Sequence, residues 1–302
     1  MVYIHFMNRK NRIQELISQG KIPVGDGAWG TLLQARGLSA GECPELWNLT
    51  HPDVVINIAR AYVEAGADIV ETNSFGGSPV KLAHYKLQDR ASEINEAAAR
   101  LSRDAAGKDV IVLGSMGPTG KLILTGDITA AEMYDSFALQ AAALERGGAD
   151  ALVAETMSDL EEALIAIRAI RENTGCEIVC TFTFEKMVSG EYRSMMGYSP
   201  EDVALALRNE GASILGANCG NGIGGMIDIV KAFRSVSAEI PILIQANAGI
   251  PVIRDGKTVF PESPVEMAAA VPELIMAGAS VIGGCCGTSP EHIRQLANTI
   301  RR

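Results

Sequence analysis

Three cysteines carry the strongest chemical signal in this sequence. Cys219 stands in Ala217-Asn218-Cys219-Gly220, and Cys285 and Cys286 are adjacent in Gly283-Gly284-Cys285-Cys286-Gly287-Thr288. Adjacent cysteines rarely close a relaxed disulfide with each other, but flanking glycines let the backbone turn so that both sulfurs meet one ion. Three thiolates suit Zn2+, and three protein ligands leave a fourth position open. An ion so ligated is electron-rich and a weak Lewis acid toward carbonyls. It suits a fourth sulfur, which coordination deprotonates. The predicted chemistry is therefore alkylation of a substrate thiol rather than activation of water. The alternative is that these are small buried hydrophobes, as free cysteines often are. Cys43, Cys176 and Cys180 lack the glycine context and are read that way. The four histidines, His5, His51, His84 and His292, show no ligand spacing.

A second group pairs acids with glycine-rich turns. Gly25-Asp26-Gly27-Ala28-Trp29-Gly30-Thr31 offers backbone N–H groups to an anion, and Asp26 would meet a cation. Thr72-Asn73-Ser74-Phe75 adds hydroxyl, amide and backbone donors, and Ser115 follows another apolar run. Glu155 is a further partner for an ammonium. Together these groups would hold the head of an amino acid; the alternative is that Asp26 and Glu155 cap the helices that follow them. Lys121 and Lys186 lie in loops past their strands and read as surface lysines rather than Schiff-base formers. Gly114–Lys121 and Gly220–Gly225 match neither a phosphate loop nor a dinucleotide fingerprint.

These residues need a scaffold that brings distant segments to one place. Eight short apolar runs alternate with helical patterns: Ile22–Gly25, Asp68–Glu71, Val110–Gly114, Ala151–Ala154, Glu177–Thr183, Ser213–Ala217, Ile242–Ala246 and Ser280–Gly283. Each is too apolar to have a wet face, as parallel strands covered on both sides are. Helices are predicted over Pro52–Ala65, Ala91–Ala106, Ala130–Arg146, Asp159–Glu172, Pro200–Glu210, Gly225–Ser237, Pro264–Met276 and Pro290–Arg301. The pattern fits an α/β fold, a single (β/α)8 TIM barrel. A weak repeat supports it: Glu64–Asp68, Gly147–Asp150, Glu210–Ser213 and Ala277–Ser280 each end a helix on glycine and enter an even-numbered strand. Those four strands run out into Glu71-Thr72, Glu155-Thr156, Asn218-Cys219 and Cys285-Cys286. The C-terminal strand ends of a barrel carry its chemistry.

Composition narrows the class. The chain has 302 residues, 47% hydrophobic and 21% charged, as an ordinary globular core requires. The net charge of −10, with no basic run, argues against nucleic acid or an anionic membrane as partner. No apolar run reaches the ~20 residues that span a bilayer. Met1–Phe6 reads as a short ordered arm rather than a signal peptide. Six cysteines in so long a chain point to a reducing compartment, and the expected location is the cytoplasm.

The motifs around Asp26, Glu71–Phe75, Glu155–Asp159, Asn218-Cys219-Gly220 and Gly283–Thr288 resemble those of the zinc-dependent homocysteine S-methyltransferases. The resemblance runs from about Ile13 to Ile300, so one homocysteine-binding barrel domain is expected over residues 1–302. Gly117–Leu122 and Gln245–Pro251 look most like the homocysteine-binding module of cobalamin-dependent methionine synthase. The resemblance implies that Cys219, Cys285 and Cys286 bind zinc and act through it, and that Asn247 supplies a displaceable oxygen ligand. It implies that Asp26 and Glu155 hold the homocysteine ammonium, with Thr72, Asn73, Phe75 and Ser115 completing the substrate site. An ordinary turn is the other reading of Asn247.

Two departures matter. Trp29 stands where the family commonly has Met, which alters the pocket floor and leaves room for another thiol as acceptor. The sequence also lacks an Asp-x-His-x-x-Gly stretch, a folate barrel, and the C-terminal arm of the betaine-using branch. The expectation is a half-reaction module whose methyl donor is methylcobalamin on a separate corrinoid protein, with S-methylmethionine or betaine as alternatives. A thiol-binding or corrinoid-docking subunit active only within a complex is a further alternative. The oligomeric state is not legible.

Overall fold

A computed structural model describes residues 10–254 and 256–302. Seven parallel strands form one sheet in chain order: β1 (Ile69–Glu71), β2 (Ile111–Met116), β3 (Ala151–Met157), β4 (Glu177–Phe182), β5 (Ile214–Gly222), β6 (Ile242–Asn247) and β7 (Val281–Gly284). The edges of this sheet meet one short segment. Val24 bridges Ile282 of β7, and Gly25 bridges Ile69 of β1. Gly25 N–H donates to Ile282 O at 2.9 Å, and Asp68 N–H donates to Val24 O at 2.8 Å. The sheet is therefore curled, and the architecture is TIM-barrel-like. The run Ile22–Gly25, expected as a full strand, is reduced to these two bridges.

Alternation along the strands builds two cores. Ile69, Ile111, Leu113, Val153, Val179, Ile214, Leu243 and Val281 form an inner apolar cluster. Their neighbours Val70, Val112, Leu152, Ile178, Leu215, Ile244 and Ile282 join the outer cluster with the helices. Full burial of each such side chain contributes about 1.5–3 kcal/mol. The helix Arg12–Ser18, not anticipated from sequence, packs Ile13 onto the inner cluster. Ile13 and Gln14 donate their N–H groups to the Glu177 carboxylate at 2.8 and 3.1 Å. Glu177 is the first residue of β4, so this helix closes the N-terminal end of the strands and leaves the other end for a site.

The helices follow the sequence signals closely. Pro52–Ala65, Ala91–Ala106, Ala130–Arg146 and Pro200–Glu210 are found as expected. Thr129, Ser199 and Ser263 close capping boxes with acids three residues on. The glycine stops Gly66, Gly211 and Gly278 adopt left-handed φ of 100°, 101° and 112°, which L side chains resist. The expected helix Pro264–Met276 is broken into Pro264–Ala269 and Val271–Ala277. Pro272 has no N–H to continue the first helix, and its ring clashes with the carbonyl four residues back. Two small hairpins, Glu185–Lys186 with Tyr192–Arg193 and Val252–Arg254 with Lys257–Val259, lie in the loops after β4 and β6. Among the described residues no helix is long and apolar enough to cross a membrane. The expected arm Met1–Phe6, with His5, lies outside the described residues.

Candidate metal and substrate site

A cavity of about 380 Å³ opens at the C-terminal ends of the strands, with Trp29, Glu71, Glu155, Cys219, Cys285 and Cys286 in its wall. The strand ends reach it by departing from regular structure. β5 extends to Gly222, so Cys219 lies within it, but its pairing with β6 shifts between Asn218 and Gly222. There Cys219 adopts a positive φ of 58°, rare for a residue with a side chain. Thr156, beside Glu155, does the same at 57°, and the β3–β4 register also shifts there. One buried carboxamide ties the two together. Asn218 Oδ1 accepts from Thr156 N–H at 2.8 Å and from Thr181 Oγ1 at 2.7 Å, while its Nδ2 donates to Thr156 Oγ1 at 2.7 Å.

The Cys285-Cys286 turn is stitched in from three sides. Gly284 N–H donates to Asp26 O, Cys285 N–H to Ala246 O, and Ala248 N–H to Cys286 O, at 2.8, 2.7 and 3.0 Å. The Thr288 hydroxyl donates to Cys285 O and accepts from Ala28 N–H. The three sulfurs of Cys219, Cys285 and Cys286 lie within 4.8 Å of one another, and those of Cys219 and Cys286 are 3.8 Å apart. Thiolates at about 2.3 Å from a tetrahedral zinc stand about 3.8 Å from each other. The donor set thus fits such an ion. Hydrogen bonds from Cys285 and Cys286 pull the Cys219 thiol far below its ordinary range, and the same contacts push Cys285 up. Asn247 is buried beside Cys219, and its Oδ1 has no hydrogen-bond partner. A buried carbonyl oxygen of that kind calls for a donor or a cation, and a cation held by the three thiols would answer it.

Three acids share the site with the thiols. Glu155 accepts from the Ser115 hydroxyl and, at 3.4 Å, from Asn218 Nδ2. Asp26 has no exposed surface; its Oδ2 accepts from Trp29 Nε1 at 2.9 Å and Glu71 N–H at 2.8 Å, while its Oδ1 has no partner. Glu71 Oε1 accepts from Gln245 Nε2 at 2.7 Å. Burial pushes the Asp26 and Glu155 carboxyls up to about 7, and burial with repulsion from Glu155 and Asp26 raises Glu71 well above its ordinary range. Neither Asp26 nor Glu155 caps a helix. Trp29 immediately precedes the helix Gly30–Ala35, and the cap after β3 is Asp159, whose side chain accepts from Glu161 N–H at 3.1 Å.

The loop after β1 is fixed before any ligand arrives. Asn73 Nδ2 donates to Pro44 O at 2.8 Å and to Asn48 Oδ1 at 3.1 Å. The Thr72 hydroxyl accepts from Ser115 N–H at 3.0 Å and contacts the Ser74 hydroxyl. Phe75 O accepts from Gly117 N–H at 2.8 Å, and the Phe75 ring, 39% exposed, lies over Gly117. Thr72, Asn73, Phe75 and Ser115 all line the cavity, but the polar side chains of Thr72, Asn73 and Ser115 are engaged with the protein. Trp29 lines the cavity wall as well, as expected of a residue that shapes the pocket. Sequence reasoning gave no binding role to Glu71 or Gln245, which share that wall. The signal for Gln245 is present in the sequence: a lone amide in Ile242-Leu243-Ile244-Gln245-Ala246 must be hydrogen-bonded when buried.

Other candidates lie elsewhere. His51 stacks on Trp47, and His84 meets Tyr85 edge-on; neither lines the cavity. Lys121 is exposed, and Lys186 sits on an exposed hairpin 4.0 Å from Asp228. Cys43, Cys176 and Cys180 are buried, and burial pushes the first two thiols up to about 12.

Comparison with known proteins agrees with this geometry. The sequence profile of homocysteine S-methyltransferase matches residues 23–300. Methionine synthase of Mycobacterium tuberculosis is 35% identical over 303 residues, covering 95% of this chain and 25% of that protein. Methionine synthase of Mycobacterium leprae is 33% identical over 298 residues, covering 93% and 24%. The chain thus spans about a quarter of the length of these relatives. The metallated form of the homocysteine methyltransferase MmuM from Escherichia coli superposes with a TM-score of 0.77 at 23% identity, over 95% of this chain and 99% of that one. The profile match along nearly the whole chain and the identity to these relatives place the chain in the homocysteine S-methyltransferase family.

Proposed function

We propose that this chain binds homocysteine in the cavity and methylates its sulfur, giving methionine. The observation that carries the reading is three clustered thiols beside buried acids in one cavity. Cys219, Cys285 and Cys286 would hold Zn2+, and Asn247, whose buried Oδ1 has no partner, would offer it an oxygen. Zinc so held supplies a thiol deprotonated at neutral pH. Asp26 and Glu155 provide negative charge for the ammonium, and the loop carrying Thr72, Asn73 and Phe75, with Ser115, shapes the carboxylate side. The substrate sulfur then attacks the donor methyl in line: a sulfur–carbon bond forms as the bond from methyl to donor breaks. Rigid loops favour the reaction by holding near-attack geometry. In this reading Pro23–Asp26 serves as the eighth stave of a closed barrel.

The donor in this reading is a methylated corrinoid on a separate protein. The relatives that share about a third of their aligned residues with this chain are named methionine synthase. The loops after β2, β4 and β6 also expose Leu124, Met187, Val188, Ile250 and Ile253. A second reading is methylation from S-methylmethionine or betaine without a partner. The E. coli protein that this chain covers to 99% is named a homocysteine methyltransferase. Methionine formation by reduced, zinc-loaded protein, read by mass spectrometry with each donor in turn, separates them. Product from methylcobalamin alone supports the corrinoid reading. Product from a sulfonium or betaine overturns it, and no product from any donor overturns autonomous methyl transfer.

A further inference from the structure

The acids beside the thiols form a site with more acceptors than Asp26 and Glu155 provide. Glu71 ends β1 on the cavity wall and is 6% exposed. Its Oε1 is held by Gln245 Nε2 at 2.7 Å, while Gln245 Oε1 is buried without a partner. Asp26 stands behind it, with Oδ2 on the Glu71 N–H and Oδ1 unpartnered. Glu155 is also on the wall, as is Glu45, whose carboxylate is already held by Gly76 N–H and Cys43 Sγ. Among the described residues no Lys, Arg or His forms an ion pair with Glu71, Asp26 or Glu155. Burial without a counter-ion disfavours the charged form of these carboxyls, and a cation delivered by a ligand restores it.

We propose that Glu71, oriented by Gln245, accepts directly from the substrate's ammonium and makes the site selective for a thiol bearing a primary amine. This rests on the reading of the cavity as a homocysteine site. A primary ammonium offers three N–H donors. Glu71 and Glu155 on the wall, with two oxygens each, supply the acceptors. Asp26 adds negative charge from behind and fixes the Glu71 backbone. A thiol acid lacking the amine leaves these acceptors unpaired, which is how a polar site rejects an analogue.

The test compares L-homocysteine with 4-sulfanylbutanoic acid, the same thiol acid without the amine. Binding to the zinc-loaded protein is measured by calorimetry, with zinc content checked for every variant. Glu71→Gln keeps the shape and removes the charge. Loss of one charged acceptor should weaken homocysteine about 10- to 100-fold and leave the deamino thiol unchanged. Glu71→Asp, which keeps the charge but withdraws it by one methylene, should fall between Glu71→Gln and the wild type. That ordering also guards against misreading a folding defect. If Glu71→Gln binds homocysteine like the wild type, or loses both thiols equally with zinc retained, the proposal is overturned and the homocysteine reading stands. If the wild type binds neither thiol, the homocysteine reading itself fails and takes the proposal with it.

Discussion

Replacing Asn218 with Ala should loosen the site and the fold together, by an amount the hydrogen bonds set. Asn218 is 1% exposed and Thr181 is fully buried. Truncation removes the acceptor of Thr156 N–H and of the Thr181 hydroxyl, and the donor to Thr156 Oγ1. An orphaned buried polar group costs about 1–3 kcal/mol. The hydroxyl can rotate toward another acceptor and belongs at the low end; the N–H cannot. The sum is about 3 kcal/mol, which at about 2 °C per kcal/mol for a chain of this size lowers Tm by about 6 °C. The local consequence is larger. Thr156 and Cys219 hold left-handed φ at a cost of about 1–3 kcal/mol each, sustained by their surroundings. Without the carboxamide that strain relaxes and carries Glu155 and the Cys219 sulfur with it. The assay is a thermal melt with zinc stoichiometry and homocysteine affinity. Asn218→Asp keeps the acceptor but sets a second carboxylate against Glu155, so its loss should grow as pH rises. An Asn218→Ala protein that melts, binds zinc and binds homocysteine like the wild type would refute the reasoning.

Three further outcomes are expected. Cys285→Ser should lose zinc and methyl transfer together, checked by metal analysis and methionine formation; full activity would rule out the thiol-ligated metal. Trp29 lines the cavity whereas Trp47 is buried against His51, so homocysteine should change the fluorescence of the wild type and not of Trp29→Phe. Glu177 is raised from 4.5 to about 7 by burial, so the unfolded chain ionises before the folded one does. Its contribution to stability is therefore complete below about pH 4.5 and is lost as pH rises through 7, and Glu177→Gln should flatten that part of a Tm-versus-pH curve.

The elements were legible because each obeys local rules: apolar runs for strands covered on both faces, Ser or Thr before Pro-acid for helix starts, glycine for helix stops. The failures have local causes too. Ile22–Gly25 has a strand's composition, but it does no more than bridge two edges, and composition does not report length of pairing. Pro264–Met276 has one apolar pattern, and Pro272 divides it. The helix Arg12–Ser18 owes its place to Glu177, 164 residues on from Ile13, and no window of sequence contains that contact.

The site was legible to the extent that its chemistry is written in residue type. Three cysteines with glycine neighbours announced themselves, and the structure brings their sulfurs within 4.8 Å. What stayed hidden is how the acids divide their work, because that depends on direction rather than identity. Asp26 and Glu71 are both carboxylates at strand ends, yet sequence reasoning assigns the ammonium to Asp26 and no binding role to Glu71. Asp26 turns toward the Trp29 ring nitrogen and the Glu71 N–H, and so ends up behind the wall. Glu71 turns toward Gln245, and so ends up on it. A single backbone hydrogen bond thus makes one acid the support of the other. If that division holds, Asp26→Asn should act through Glu71: it should weaken homocysteine in the wild-type background and add little to Glu71→Gln. Full additivity of the two substitutions in a double-mutant cycle would show instead that the acids meet the ammonium independently.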